Sequence, residues 1–172
     1  MRIIAGKWRG RPLLAPEGRG TRPTSDRARE GLFSMLQSRL GAFDELRVAD
    51  LFAGSGALGL EALSRGAGHC TFVENERTAL DALRANIAKL GADATVRAGA
   101  AEAFAGGEFD LVFLDPPYGS GLGHKALAVM TAPAGAWASL ETARDEAVDV
   151  PGWELEATRT YGKAKISLLR RA

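Results

Sequence analysis

The feature that most constrains the fold is a regular alternation of short apolar runs with segments of helical spacing. The apolar runs cover residues 48–52, 70–74, 94–96, 109–115 and 137–142. Segments with helical patterning lie between them, at 57–64, 78–90 and 122–131. Strands that alternate with helices form a parallel sheet with both faces covered. The chain is therefore predicted to be an α/β protein with an open, mostly parallel sheet.

Two further elements flank this alternation. A helix is expected after Pro23, where Thr24 or Ser25 can cap it and Gly41 ends it; its apolar stripe consists of Ala28, Leu32, Leu36 and Leu40. The tail alternates over 153–160 and 165–169, which predicts a closing antiparallel hairpin. We expect two units: a basic amino-terminal arm with one hairpin over residues 1–23, and a main domain over residues 24–172.

Bulk composition excludes several classes of protein. The chain has 172 residues, 46% of them hydrophobic and 25% charged, which is typical of one globular domain. No apolar run approaches the ~20 residues that a bilayer span requires, and the first residues lack the apolar core of a signal peptide. Cys70 is the single cysteine, so no internal disulfide forms. These points predict a cytoplasmic protein without a membrane partner, and we expect a monomer.

The net charge of +1 conceals two basic ends. Residues 1–30 carry eight Lys/Arg against three Asp/Glu, and residues 159–172 carry five basic residues and no acid. Basic surfaces favour polyanions such as nucleic acid, although solvated basic tails are also common. Within the arm, Trp8 lies among Lys7, Arg9 and Arg11. Its indole ring is expected either to stack on a base or to pack the arm onto the body.

A glycine-rich motif, Asp50-Leu-Phe-Ala-Gly54-Ser-Gly56-Ala-Leu-Gly59, leaves the first strand of the alternation and enters a helix. Glycines let the backbone turn sharply close to a ligand, and the helix N-terminus favours an anionic group. In an S-adenosylmethionine site that group is the methionine carboxylate, and Asp50 would face the ammonium. The candidate cofactor residues here are Asp50, Phe52, Ala53, Gly54, Ser55 and Gly56.

Glu74 ends the second strand, twenty residues after Gly54. An acid at this position can accept hydrogen bonds from both ribose hydroxyls. The pattern also satisfies the dinucleotide fingerprint, so it predicts an adenosine-containing ligand and leaves its identity open. Asn75, Ala100 and Ala101, which follow the second and third strands, are the remaining candidate cofactor residues.

A second motif, Asp115-Pro116-Pro117-Tyr118, follows the fourth strand and favours amine methylation. Prolines stiffen the backbone at the sheet edge where α/β proteins bind ligands. The Asp115 carboxylate and the Pro116 carbonyl are two acceptors that match the two hydrogens of an exocyclic base amine, and Tyr118 can stack on the base. We expect these four residues to be catalytic by positioning the amine.

Together these segments resemble a known family over nearly the whole chain. Residues 2–11, 22–30 and 32–33 look like the amino-terminal signature of the bacterial small-subunit (16S) ribosomal RNA guanine-N2 methyltransferases, the RsmD family. Residues 50–62 and 115–118 look like its cofactor and catalytic motifs. The tetrapeptide alone is shared with DNA adenine and protein glutamine methyltransferases, so the amino-terminal signature carries the assignment.

The resemblance implies a class I (Rossmann-like) methyltransferase fold, S-adenosylmethionine as donor, and a guanine of 16S ribosomal RNA in an assembling small subunit as acceptor. It assigns the methionine end to the Asp50–Gly56 motif, the ribose to Glu74 and the target amine to residues 115–118. The basic arm would hold RNA phosphates; the candidate RNA-contacting residues are Lys7, Arg9, Arg11, Arg22, Thr24 and Arg27.

The chain departs from the family pattern at two places. Ala100 stands where many such enzymes carry Asp or Asn to bind the adenine amine, so adenine recognition would fall to the backbone or to Glu102. The segment between Glu141 and Trp153 is also short, which predicts a trimmed rim on the substrate side.

Other functions fit the sequence less well. A DNA adenine methyltransferase would need a target-recognition domain, and a nicotinamide-dependent oxidoreductase would need a second half after residue 120. A non-enzymatic RNA-binding module would not require the intact 115–118 motif. His69 and His124 lack metal-ligand spacing, so no metal site is predicted.

Overall fold

The computed structural model describes residues 1–16 and 25–172. The helices are α1 (Ser25–Leu40), α2 (Ala57–Ser64), α3 (Arg77–Leu90) and α4 (Leu122–Val129), with a 3-10 turn at Ala101–Ala103. The strands are β1 (Arg47–Leu51), β2 (His69–Glu74), β3 (Ala94–Ala98), β4 (Leu111–Leu114), β5 (Trp137–Ala143), β6 (Trp153–Tyr161) and β7 (Ala164–Arg171).

The strands form one seven-stranded sheet in the order β3-β2-β1-β4-β5-β7-β6. The pairs β1–β2, β2–β3, β1–β4 and β4–β5 are parallel, whereas β7 runs antiparallel between β5 and β6. The predicted α/β class, the mostly parallel sheet and the antiparallel carboxyl-terminal hairpin are therefore confirmed. The strand order reverses between β1 and β4, and such a reversal opens a crevice for a ligand at the carboxyl ends of the strands.

Both faces of the sheet are covered by helices. On one face α1, α2 and α3 contribute the fully buried side chains of Phe33, Leu63 and Leu83. The ring of Phe33 lies 5.6 Å from that of Phe113 on β4, which joins α1 to the sheet. On the other face α4 buries Leu127. Each large apolar side chain buried in this way contributes about 1.5–3 kcal/mol to folding.

The described part of the arm is packed against the body. Residues 2 and 12 form an antiparallel bridge, and the Ile3 N–H donates to the Arg11 carbonyl at 3.0 Å, so a hairpin is present. Ile3, Trp8 and Leu13 are buried in the same core cluster as α1. Trp8 is only 9% exposed, so of the two alternatives given for its indole ring the structure shows the packing of the arm onto the body.

Several element bounds differ from the expected ones. The first strand ends at Leu51 rather than at residue 52, because Phe52 adopts a left-handed φ of 59° that no strand continues. Helix α4 ends at Val129 rather than at residue 131, since the Thr131 N–H donates to the Ala105 carbonyl at 2.8 Å. At the edge of the sheet β6 has a bulge between Leu155 and Ala157.

Among the described residues, no helix is both long and apolar enough to cross a bilayer.

Candidate functional site

A cavity of about 570 Å³ opens at the carboxyl ends of β1, β2 and β4. This volume is in the range of small-molecule and cofactor sites. Its walls come from the β1–α2 loop, the end of β2, the 3-10 turn, the segment after β4, part of α1 and the end of the arm. The cavity thus lies at the predicted edge of the sheet and beside the strand-order reversal.

The β1–α2 loop turns through positive φ angles. Phe52, Gly54 and Gly56 have φ values of 59°, 58° and 85°. A Cβ on Gly54 would meet nothing within 4 Å, so it is the positive φ, and not a lack of space, that favours glycine there. A Cβ on Gly56 would lie 2.6 Å from the Leu83 side chain, so the second glycine is also needed for close packing of the loop on α3. Phe52 is the one of the three with a side chain, so its positive φ is strained, and such strain is common at ligand-binding loops.

Asp50 is a buried carboxylate beneath this loop. Its side chain is 1% exposed, and Oδ2 accepts a hydrogen bond from the Gly59 N–H at 2.9 Å. Burial raises the pKa of Asp50 well above its ordinary value, and the charges of Asp115 and Glu74 raise the pKa further, against the hydrogen bond from Gly59. A cation placed in the cavity would stabilise the ionised form of this carboxylate.

Glu74 is held rigidly at the end of β2. One carboxylate oxygen accepts from the Gly54 N–H at 2.8 Å. The other accepts from the N–H groups of Asn75 and Glu76 at 2.9 and 2.8 Å. Each carboxylate oxygen has two lone pairs, so this side chain retains acceptor capacity toward the cavity while tying β2 to the glycine loop.

Most of the predicted cofactor residues share this one cavity. Those that line it are Asp50, Phe52, Ala53, Gly54, Ser55, Glu74, Asn75 and Ala101. Gly56 and Ala100 do not line it, but their neighbours Ala57 and Gly99 do. Glu102 also lines the cavity, at the position where adenine recognition was expected to fall.

The predicted catalytic segment follows β4, the strand next to β1, and forms another part of the cavity wall. Asp115 and Pro117 line the cavity. Tyr118 is 40% exposed, and its hydroxyl donates to Glu141 Oε2 at 2.7 Å. The Gly119 N–H donates to Glu146 Oε1 at 2.7 Å. Two carboxylates, one on β5 and one in the loop after it, therefore hold this segment in place.

Pro116 is buried beneath the same segment. Gly123, near the start of α4, approaches it so closely that a Cβ there would lie 2.9 Å from Pro116 Cγ and 2.5 Å from Leu140 Cδ1. Gly123 thus lets α4 support the segment directly, which the sequence reasoning did not identify.

Arg29 is the site residue that sequence reasoning missed most clearly. It is 4% exposed and, within the described part of the chain, it is the single lysine or arginine whose side chain lines the cavity. Its Nη2 donates to the Arg2 carbonyl at 2.6 Å and to Asp26 at 3.1 Å. Nε and Nη1 have no hydrogen-bond partner among the described residues. Burial lowers the pKa of this guanidinium, which the carboxylates of Glu61 and Asp26 partly offset.

Among the described residues, the other charged side chains that line the cavity are all acidic: Asp50, Glu74, Glu76, Glu102, Asp115 and Glu141. Such a lining favours a ligand that is mainly cationic and carries one anionic group for Arg29.

The predicted RNA-contacting residues lie outside the cavity. Lys7, Arg9, Arg11 and Arg27 are exposed. Lys7 Nζ lies 4.6 Å above the Trp8 ring, and Arg11 donates to the Lys89 carbonyl at 3.2 Å. The predictions for Arg22 and Thr24 lie outside the described residues.

Two further polar residues were missed, although each had a signal. Asn86 lies on the predicted apolar face of α3, three residues after Leu83, and Glu61 is the one acid in the short α2. Both are buried and both hydrogen-bond to the arm. A polar residue on an apolar helix face is a reason to look for a buried partner.

Comparisons with known proteins agree with this architecture. The family model described as "Conserved hypothetical protein 95" matches residues 1–170. Ribosomal RNA small subunit methyltransferase D of Escherichia coli is 44% identical over 126 residues, which are 71% of this chain and 62% of that protein. The match thus spans about three fifths of that relative's length.

Two further matches extend over nearly the whole chain. The protein of the same name from Haemophilus influenzae is 35% identical over 175 residues, covering 94% of this chain and 89% of that protein. The solved structure of YhhF from Escherichia coli covers 99% of this chain and 97% of its own, with a TM-score of 0.86 and 36% identity. By the extent of the family model and the identity to these relatives, the chain belongs to the conserved hypothetical protein 95 family, the RsmD family that its amino-terminal and catalytic motifs predicted.

Proposed function

We propose that this protein is an S-adenosylmethionine-dependent methyltransferase that methylates the exocyclic N2 amine of a guanine in 16S ribosomal RNA. One observation carries the proposal: Asp115, at the end of β4, lines the same cavity as the glycine loop at the end of the adjacent strand β1. A methyl donor and an acceptor amine bound at these two walls would meet across one cavity. The names of the relatives support ribosomal RNA as the substrate class, and the family resemblance supports guanine N2.

The residues of the cavity fit the parts of S-adenosylmethionine. Asp50 would face its ammonium, and Glu74 would accept a hydrogen bond from a ribose hydroxyl at the one acceptor position that its three backbone N–H donors leave. The buried guanidinium of Arg29, together with the N-terminus of α2, would receive the carboxylate. Glu102 and the backbone around Gly99 would contact the adenine. When bound, this cofactor supplies a methyl group on an already activated sulfonium.

The chain's own contribution is to position the acceptor. The lone pair of a base amine is conjugated into its ring, so the amine is a weak nucleophile. Asp115 and the Pro116 carbonyl would accept its two N–H groups and turn the lone pair toward the donor. Tyr118 would stack on the base, an interaction worth about 1–3 kcal/mol in nucleic-acid sites. Asp115 is the adjacent carboxylate that can take the proton released after transfer.

Exposed cations outside the cavity fit an RNA partner. Lys7, Arg9 and Arg11 are exposed on the arm. The Tyr161 hydroxyl, at the tip of the β6–β7 hairpin, packs against Gly31 of α1. Arg27 lies one helical turn before Gly31 and is therefore close to this hairpin. Exposed cations of the arm, of α1 and of this hairpin would neutralise phosphates of 16S RNA in an assembling small subunit. The division into a basic arm and a methyltransferase domain forms part of this proposal.

The test is transfer of a labelled methyl group to four acceptors in parallel: immature small ribosomal subunits, naked 16S RNA, double-stranded DNA and total protein. Products are digested and separated as nucleosides or amino acids. The expected result is N2-methylguanosine from the subunit or its RNA. Label in methyladenine of DNA, or in protein, would leave the catalytic motif in place and overturn the substrate.

A matched pair of variants controls this experiment. Asp115→Asn should lose the label with every acceptor. Asp81→Asn removes an exposed acid on α3, away from the cavity lining, and should transfer as the wild type does.

A further inference from the structure

One buried amide side chain joins the arm to the glycine loop. Asn86 on α3 is 1% exposed. Its Oδ1 accepts from the Leu14 N–H at 2.8 Å, and its Nδ2 donates to the Leu14 carbonyl at 3.0 Å. The same Nδ2 donates its second hydrogen to the Ser55 carbonyl at 2.9 Å. Both hydrogens and the oxygen of this amide are thus used, and they are divided between two segments far apart in sequence.

The two segments that Asn86 holds both line the cofactor cavity. Ser55 lies in the glycine loop, and Ala15 and Pro16 directly follow Leu14 at the end of the described arm. The arm is therefore part of the cavity wall as well as the bearer of exposed cations. A displacement of Leu14 and a displacement of the glycine loop would each break hydrogen bonds to the same side chain.

The rest of the arm is fixed elsewhere. The buried carboxylate of Glu61 accepts from the N–H groups of Ile4 and Ala5 at 2.9 and 3.1 Å. Ser64 Oγ accepts from the Trp8 N–H at 3.0 Å. Glu61 and Ser64 lie on α2, so their hydrogen bonds to the arm hold it to a helix and not to the glycine loop. This makes Ser64 a natural control for Asn86.

We propose that Asn86 is a positioning residue that couples the basic arm to the glycine loop, so that cofactor and RNA bind with positive cooperativity. This inference rests on the proposed function for its RNA partner. A ligand that fixes the loop strengthens the Asn86 contacts to Leu14, and an RNA that fixes the arm strengthens the contact to Ser55. By linkage, each ligand then raises the affinity for the other by the same factor.

The first test measures the arm without RNA. Amide hydrogen exchange of Leu14 is followed by NMR with and without S-adenosylhomocysteine, with the amide of Trp8 as an internal reference. The expected result is that S-adenosylhomocysteine slows exchange at Leu14 several-fold more than at Trp8. Equal exchange rates at Leu14 with and without the ligand would overturn the proposal, and this measurement needs only the wild-type protein.

Two variants then separate positioning from folding. In Asn86→Ala the ligand should no longer slow exchange at Leu14. In Ser64→Ala, which removes the hydrogen bonds to the Trp8 N–H and the Ala5 carbonyl but leaves Asn86, the slowing at Leu14 should persist. If the ligand still slows Leu14 in Asn86→Ala, Ala15 and Pro16 carry the coupling by touching the ligand directly, and the role given to Asn86 is wrong.

The second test measures the cooperativity. A fragment of 16S RNA is titrated with and without S-adenosylhomocysteine, and the ratio of the two Kd values gives the coupling. We expect a ratio of about 5 or more for the wild type and Ser64→Ala, and close to 1 for Asn86→Ala. A ratio of 1 in the wild type would overturn the cooperativity. No RNA binding in either condition would instead contradict the proposed function, while the exchange result at Leu14 would stand.

Discussion

The two walls of the cavity are held in place by different kinds of contact. On the donor side, Asp50 and Glu74 receive hydrogen bonds from backbone N–H groups of the glycine loop and its flanks, and Asp50 is almost completely buried. On the acceptor side, Tyr118 and Gly119 are exposed and are held by the carboxylates of Glu141 and Glu146. One wall depends on main-chain geometry and the other on side chains that solvent reaches.

This difference indicates how each wall works. A wall made of backbone hydrogen bonds is preorganised and binds a small ligand at little cost in ordering. A wall whose exposed residues are held by half-buried side-chain carboxylates can adjust when a large RNA approaches, because it depends on few side-chain contacts near solvent. Changes on the donor wall should therefore alter cofactor affinity, and changes on the acceptor wall should alter transfer or RNA binding.

The largest expected effect is at the acceptor wall. Asp115→Asn keeps the shape of the side chain but weakens the acceptor that holds the amine. We expect kcat to fall by about 10²–10³-fold, the loss typical when a group that stabilises the transition state is removed. The affinity for S-adenosylhomocysteine, measured by calorimetry, should stay within about twofold of wild type, in line with this transition-state role. Loss of cofactor binding together with transfer would remove the distinction between the walls.

Arg29 tests whether the donor wall has one anionic subsite. Arg29→Met should weaken S-adenosylhomocysteine binding by about 10-fold or more, as expected for a lost charge-assisted hydrogen bond. Binding of 5′-methylthioadenosine, which lacks the amino acid part, should not change. Thermal unfolding of the variant checks that the contacts to Arg2 and Asp26 are not needed for folding. An equal loss for both ligands would place the carboxylate elsewhere.

Glu74 tests the ribose end of the same wall. Glu74→Ala should weaken cofactor binding by about 1–3 kcal/mol, because it removes a charged acceptor of a ribose hydroxyl and of the Gly54 N–H. Both S-adenosylhomocysteine and 5′-methylthioadenosine should be affected, unlike in Arg29→Met. Unchanged affinity for both would contradict the ribose assignment.

A smaller effect is expected from Tyr118→Phe. The variant keeps the ring for stacking and loses the hydrogen bond to Glu141, a contact of about 0.5–1.5 kcal/mol. We expect KM for RNA to rise about 2- to 10-fold, with cofactor affinity unchanged. A change in cofactor affinity would show that the two walls are not independent.

The smallest effect concerns stability. The pKa of Asp50 is raised by burial, so its ionised form opposes folding at neutral pH. Asp50→Asn should raise the Tm of the ligand-free protein, by about 2–4 °C for each kcal/mol gained in a chain of this size. The gain in Tm should be largest at neutral pH. It should shrink as the pH falls toward 3.8, because the wild-type carboxyl then becomes protonated in the unfolded chain as it already is in the folded protein. A gain that is constant with pH would contradict an ionisation effect.

The local sequence pattern predicted the glycine loop and the end of β2 better than it predicted the residues that connect this wall to the arm. Gly54, Gly56 and Glu74 were predicted together from a short contiguous pattern and a strand end, and the structure brings Gly54 and Glu74 to one cavity. Arg29 and Asn86 were not found, because their arm partners lie 27 and 72 residues away, and no local pattern reports such pairings. The positive φ of Phe52 was missed for a related reason. An apolar residue that directly follows an apolar strand continues the sequence pattern of the strand, so the pattern does not show where the turn begins.

The outer strand β6 has a consequence for how the molecule meets other copies of itself. Its side chains are mostly exposed, it carries Glu154, Glu156 and Arg159, and it has a bulge after Leu155. Edge strands that are charged and bulged present a poor template for another strand. We therefore expect β6 not to pair with a strand of a second copy, so that concentrated protein does not associate through this edge and the basic residues of the β6–β7 hairpin stay accessible to RNA.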